Sequence, residues 1–125
     1  MEELRTYFFD SYAFYEILAG NERYKPYAKN IAIVTTKMNL MELHYGILAN
    51  HGKEVADKIY DEYSKFAIEI DDAALKDANV LKLSLKKRNL SYVDCIGYVL
   101  ARKRGIRFLT GDRQFGDMEN VEFVK

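Results

Sequence analysis

The stretch Ser91-Tyr92-Val93-Asp94-Cys95-Ile96-Gly97-Tyr98-Val99-Leu100-Ala101-Arg102-Lys103-Arg104-Gly105-Ile106-Arg107-Phe108-Leu109-Thr110-Gly111-Asp112 holds two elements and the junction between them. Ser91 is an N-cap residue ahead of an amphipathic run from Val93 to Lys103, and Gly105 closes that run. Ile106 to Leu109 is a short apolar strand ending in Thr110-Gly111-Asp112. A helix feeding a strand that stops at a carboxylate is one unit of an alternating α/β chain.

Working outward, the same grammar recurs. Thr6-Tyr7-Phe8-Phe9 is an apolar strand stopping at Asp10-Ser11, and Tyr12 to Leu18 follows with helical spacing until Gly20-Asn21. Ile31 to Thr35 is a second, β-branched strand; Leu40, Leu43 and Ile47 then recur at helical spacing up to Asn50-His51-Gly52. Val55, Ile59 and Tyr63 mark a third helix, Phe66 to Ile70 a third strand, and Leu75, Ala78, Leu81 and Leu85 a fourth helix. Val121 to Val124 supplies a last strand. Strands that are apolar without alternating, separated by helices, predict a three-layer α/β/α fold with a central, mainly parallel sheet of about four or five strands.

Composition sets the bounds. The 125 residues are expected to form a single domain, residues 1–125, with no Gly-rich or Ser-rich linker. Lys+Arg and Asp+Glu both number 19, so nucleic-acid contact has to be local and cannot come from a bulk positive field. The lone Cys95 cannot form an internal disulfide, and no apolar run approaches the roughly 20 residues that span a bilayer, so a soluble, cytoplasmic protein is expected.

The carboxylates carry the chemistry. Asp10 and Asp112 fall at strand C-termini, where open α/β sheets bind ligands, although an aspartate at such a junction is also an ordinary cap. Asp94 follows Ser91 by three residues and fits a capping box, yet Gly97 and Ala101 share its face and permit close packing on the sheet. Glu42 interrupts an apolar helix face with no Lys or Arg one turn away, and either reaches water at the edge of that face or needs a cation. Four carboxylates at one crevice repel one another unless a counter-ion joins them, and an all-oxygen donor set favours Mg²⁺ or Mn²⁺ over zinc or copper. His44 and His51 have no zinc-ligand spacing with Cys95.

Asp10-Ser11 after the first strand, Glu42 within Asn39-Leu40-Met41-Glu42-Leu43, Leu90-Ser91-x-x-Asp94 and Thr110-x-Asp112-x-x-Phe115 together resemble PIN domains, especially VapC-like toxins. The resemblance implies a divalent-metal-dependent ribonuclease whose metal and catalytic residues are Asp10, Glu42, Asp94 and Asp112. Ser11 and Thr110 would orient those carboxylates by hydrogen bonding. It also implies a homodimer, an antitoxin protein partner and an RNA substrate cut to leave a 5′-phosphate. Tyr12 departs from the resemblance, since many relatives carry a small polar residue there, and Asp117 lies beyond the matching motif and reads as a loop residue.

Rival functions are an RNA-processing or decay nuclease with no antitoxin, and an inactive PIN-like module that binds RNA or protein. An aspartyl phosphatase is disfavoured, because Asp10-Ser11-Tyr12 lacks a second aspartate two residues on. The basic runs Lys86-Lys87-Arg88 and Arg102-Lys103-Arg104, with Arg107, lie near helix ends where cations complement the dipole, which leaves the substrate-binding residues unassigned. Among the aromatics, Tyr98 shares the face of Asp94 and is the candidate platform for a base.

Overall fold

The computed structural model describes residues 4–125. Four strands, β1 (Arg5–Phe9), β2 (Ile31–Val34), β3 (Arg107–Thr110) and β4 (Val121–Phe123), form one parallel sheet in the order β2-β1-β3-β4. Five α-helices cover it: α1 (Ser11–Leu18), α2 (Lys37–His51), α3 (Lys53–Ser64), α4 (Asp72–Ser84) and α5 (Tyr92–Lys103). The three-layer α/β/α arrangement expected from the sequence is the one observed.

The apolar runs of the strands are explained by burial on both sides. Tyr7 and Phe9 join Phe14, Leu40, Leu43 and Leu109 in one core under α1, α2 and α3. Phe8, one residue between them, points the other way and joins Phe108, Ile96, Tyr98 and Phe115 under α4 and α5. Side chains alternate along a strand, so only a strand covered on both faces is apolar at every position. Phe8 and Phe108, opposed in the β1–β3 register, stack with ring centroids 5.6 Å apart.

Helix α5 is the most deeply set. Between Val93 and Ala101 every residue is buried except Asp94. Gly97 makes this possible: a Cβ there would lie 2.8 Å from the Phe8 ring and 3.1 Å from that of Phe108. The small-residue stripe read from the sequence is therefore a close-packing face. Gly105, with φ +67, then turns the chain out of the helix into β3 in a conformation that other L-residues rarely adopt.

Two expectations need correction or addition. Phe66 to Ile70 is not a strand: only Ala67 bridges to Thr35, flanked by bonds from Thr35 N to Phe66 O (3.0 Å) and from Ile68 N to Thr35 O (2.9 Å). The reason is local, since Thr36 already caps α2 and leaves a single extended residue beyond β2 to pair with. The sequence reading also left Glu22–Tyr27 unassigned; it is a 3-10 helix that contains Pro26 and buries Tyr24, whose hydroxyl donates to Val124 O at 2.6 Å.

Candidate acidic active site

The sheet order places the chain reversal between β1 and β3. From β1 the chain moves outward to β2 on one side, and β3 later returns to the other side of β1. Ligand crevices in open α/β sheets lie at such a switch point, beyond the strand C-termini. Asp10 follows the last residue of β1, and Asp112 stands two residues past β3.

Asp10 caps α1, its Oδ1 accepting the Ala13 N–H at 2.8 Å, and only 4% of its surface is exposed. Burial pushes its pKa up to about 7, and the negative charges of Asp94 and Asp112 add to that rise; the Thr110 hydroxyl and the Ala13 N–H oppose it. Asp94 closes the capping box of α5: its Oδ2 accepts the Ser91 N–H, and its own N–H donates to Ser91 Oγ, both at 3.0 Å. Burial raises its pKa as well, with Asp112 contributing, while the Ser91 bonds and the Lys82 ammonium pull it back. Asp112 caps the 3-10 turn Arg113–Phe115 through the Gln114 N–H at 3.0 Å, and its own N–H donates to Thr110 Oγ1 at 3.1 Å.

Three of the four predicted carboxylates thus share one electrostatic neighbourhood, each at the start of a helical turn whose N–H groups favour negative charge. Glu42 stands beside this group. Its Oε1 accepts a 2.6 Å hydrogen bond from Ser11 Oγ, and Ser11 follows Asp10 directly. Among the described residues no three His, Cys, Asp or Glu side chains are drawn together tightly enough to form a ready cation cage. The expected gathering of four carboxylates is in this structure three coupled aspartates with Glu42 tied to their edge.

Both residues expected to orient the carboxylates touch them, Ser11 through Glu42 and Thr110 through Asp10 and the Asp112 amide. Asn39 belongs to the same network and was given no role from sequence. It is 2% exposed, accepts from Thr36 Oγ1 at 2.6 Å and donates to Ser11 Oγ at 3.4 Å. Its signal was present as Thr36-x-x-Asn39-x-x-Glu42, one cap and two further polar residues at three-residue steps along an otherwise apolar helix face.

The donor chemistry fits a hard divalent cation. A carboxyl that is buried, flanked by two like charges and held partly protonated near neutrality lacks a counter-charge, and every candidate donor is oxygen.

Tyr98 is not a base platform. It is 3% exposed, its hydroxyl donates to Glu119 O at 2.6 Å, and its ring packs on Phe108 and Phe115. Much of the basic set is also engaged within the chain. Arg88 forks onto Asp117 at 2.6 and 3.0 Å, Lys103 pairs with Asp77 at 2.9 Å, and Arg107 with Glu122 at 3.6 Å. Asp117 is thereby a surface loop residue, as the sequence indicated.

An open parallel sheet with aspartates at its switch point defines a class, and the family follows from it: the chain belongs to the PIN domain family, whose model matches residues 7–121. Its fold is similar to that of the Mycobacterium tuberculosis VapC toxin described as cleaving the sarcin–ricin loop, at TM-score 0.76 and 20% identity over 95% of this chain and 99% of that one. It is similar to a chain of DNA-bound VapBC from Salmonella typhimurium at TM-score 0.74 and 16% identity, covering 96% and 97%. A toxin–antitoxin complex from Klebsiella pneumoniae gives TM-score 0.72 and 18% identity over 91% and 93%. No curated protein matches the chain by sequence. No helix among the described residues is long and apolar enough to cross a membrane.

Proposed function

We propose that this chain, as one nuclease domain, is a divalent-metal-dependent ribonuclease of the VapC toxin type. The observation that carries the proposal is the meeting of Asp10, Asp94 and Asp112 at the β1–β3 switch point, with the Asp10 carboxyl raised to about 7 by burial and by its two negative neighbours. Asp10, Asp94, Asp112 and Glu42 would hold Mg²⁺ or Mn²⁺. When bound, such an ion supplies Lewis acidity at the phosphodiester and a water of lowered pKa.

The chain's own groups set the stage for that hydrolysis. Thr110 and the α1 N-terminus hold Asp10 in one orientation, and the Ser91 cap does the same for Asp94. Glu42 caps no helix and is held by the Ser11 hydroxyl at 2.6 Å, so in this proposal it is the carboxylate that orients the attacking water. Burial around Asp10 excludes bulk water and strengthens every charge interaction at the crevice.

Support for an antitoxin partner, a homodimer and a cytoplasmic setting comes from the relatives, several of which are VapBC or toxin–antitoxin complexes. Co-expression with the product of an adjacent small gene, followed by co-purification, tests the pairing; a nuclease active without any such partner would be an RNA-processing or decay enzyme. The deciding experiment for the chemistry is cleavage of end-labelled structured RNA with Mg²⁺ or Mn²⁺, with excess EDTA, and with Asp10→Asn. Loss of cleavage in both controls supports the metal nuclease. Cleavage that survives Asp10→Asn removes the acidic site from the mechanism.

A further inference from the structure

Beside the acidic crevice lies a cavity of about 300 Å³ lined by Asn79, Lys82, Leu83, Lys86, Arg88 and Tyr92. Tyr92, the first residue of α5, is 60% exposed and Leu83 is 72% exposed. The Lys82 ammonium sits 5.0 Å from the Tyr92 ring centroid and donates to Leu90 O at 2.6 Å, so it is fixed in place. Lys86 and Lys87 are exposed and have no carboxylate partner among the described residues, while Arg88 is already committed to Asp117 and Gln114 O.

The position matters as much as the composition. Tyr92 opens the first turn of α5, and the Leu90–Ser91 peptide just before it joins the cation to the carboxylate: its oxygen accepts from Lys82, which lies over the Tyr92 ring, and its N–H donates to Asp94 Oδ2 at 3.0 Å, so the aromatic, the cation and the carboxylate share one small region. An exposed aromatic flanked by lysines that no carboxylate neutralises is an arrangement that holds single-stranded nucleic acid: a base stacks on the ring and the phosphates meet the cations. A duplex offers no free base face to that ring.

Resting on the nuclease reading above, we infer that the Lys82–Lys86–Tyr92 cavity is the substrate-positioning site, which takes an unpaired nucleotide of single-stranded RNA on Tyr92 and its flanking phosphates on Lys82 and Lys86. Tyr92 selects unpaired over paired RNA and presents the neighbouring phosphodiester to Asp94.

The test is anisotropy titration of a fluorescein-labelled single-stranded RNA dodecamer in excess EDTA, where binding is read without metal-dependent turnover. Wild type should prefer the single strand to the same sequence in a duplex. Tyr92→Ala should weaken single-strand binding roughly tenfold, the loss of one stacked base, and Tyr92→Phe should restore it. Lys86→Ala should flatten the slope of log affinity against log salt by about 0.7, the contribution of one single-strand phosphate. Equal affinity of Tyr92→Ala and wild type overturns the inference, as does a wild type that binds neither RNA. A Tyr92→Ala or Leu83→Asp change that alters only the sedimentation coefficient also overturns it and makes this face a protein interface.

The two readings fail separately. Metal-dependent cleavage of single-stranded RNA with KM unmoved by Tyr92→Ala removes the positioning site and leaves the nuclease. Tyr92-dependent RNA binding by a chain that never cleaves RNA does the reverse.

Discussion

At Asp10 one carboxylate caps a helix and, in the proposed enzyme, also binds the metal. As a cap it needs only an acceptor oxygen for Ala13 N–H, which an asparagine also provides; as a ligand it needs the charge. The sign of the resulting pH dependence follows from the pKa values. The unfolded carboxyl titrates near 3.8 and the folded, metal-free one near 7, so between those values the folded state binds more protons than the unfolded state. Stability of the metal-free protein therefore falls as pH rises through this window, and the loss is complete above it. Melting curves in EDTA should show wild type losing Tm from pH 4 to pH 7. Asp10→Asn should be flatter and melt higher at pH 8, and Asp10→Ala should fall below Asn by the cap, about 1 kcal/mol. A wild-type Tm that does not move across the window would remove the burial argument. Asp94→Asn should shift in the same direction, because burial raises Asp94 too and the amide oxygen can keep the Ser91 N–H.

The same scale shows what sequence can and cannot disclose about a site. Ser91-x-x-Asp94 was readable because capping is decided within four residues. The tie of Glu42 to Ser11 was not, because it depends on how α2 is rotated against α1, which Tyr15 and Ser11 settle through contacts some thirty residues away. Tyr98 misled for a related reason. Sharing a helix face with Asp94 does not mean sharing an environment, since the face runs from the crevice into the core within one turn.

Among the elements, two glycines in helices face aromatic rings with opposite consequences. A Cβ at Gly97 meets Phe8, which is wholly buried between sheet and helix and cannot move aside. Gly97→Ala should thus destabilise by about 1–3 kcal/mol despite the roughly 1 kcal/mol that alanine gains in helix propensity. A Cβ at Gly46 would overlap the Tyr15 hydroxyl, yet Tyr15 is 38% exposed and can swing outward, giving up its bonds to Glu42 O and Leu43 O. Gly46→Ala should cost clearly less in urea denaturation; equal losses would mean that α1 is held on α2 as firmly as α5 is held on the sheet. The strand expected over residues 66–70 failed at this scale as well. Its apolar pattern was real, but Ile68 and Ile70 pack against the α4–α5 core without a ladder, and hydropathy does not say whether a neighbouring strand is long enough to pair with.

For the molecule as a whole, alternation of strands and helices, the parallel sense of the sheet and the placement of carboxylates at strand ends were all legible, because both-face burial leaves a continuous apolar run in each strand. Strand order was not, since β1 and β3 find each other across most of the chain's length. The proposed cation links these scales. Mg²⁺ should raise the Tm of wild type more at pH 8 than at pH 5, because it must displace the proton that Asp10 holds below about 7, and should leave Asp10→Asn almost unmoved. An equal Mg²⁺ response in both proteins would place the ion elsewhere. RNA cleavage should likewise decline as pH falls below that value.

The pairing of β1 with β3 also governs the order in which the molecule can come into being. Tyr7-Phe8-Phe9 leaves the ribosome a hundred residues before its partner Arg107-Phe108-Leu109. Pairings so distant in sequence close slowly, and the aromatic strand meanwhile has one edge open to misassociation. Asp10 and Asp112 are separated by about the same interval, so a nascent or truncated chain that stops before Asp112 lacks the full acidic set, and whatever chemistry the crevice performs waits on that late segment.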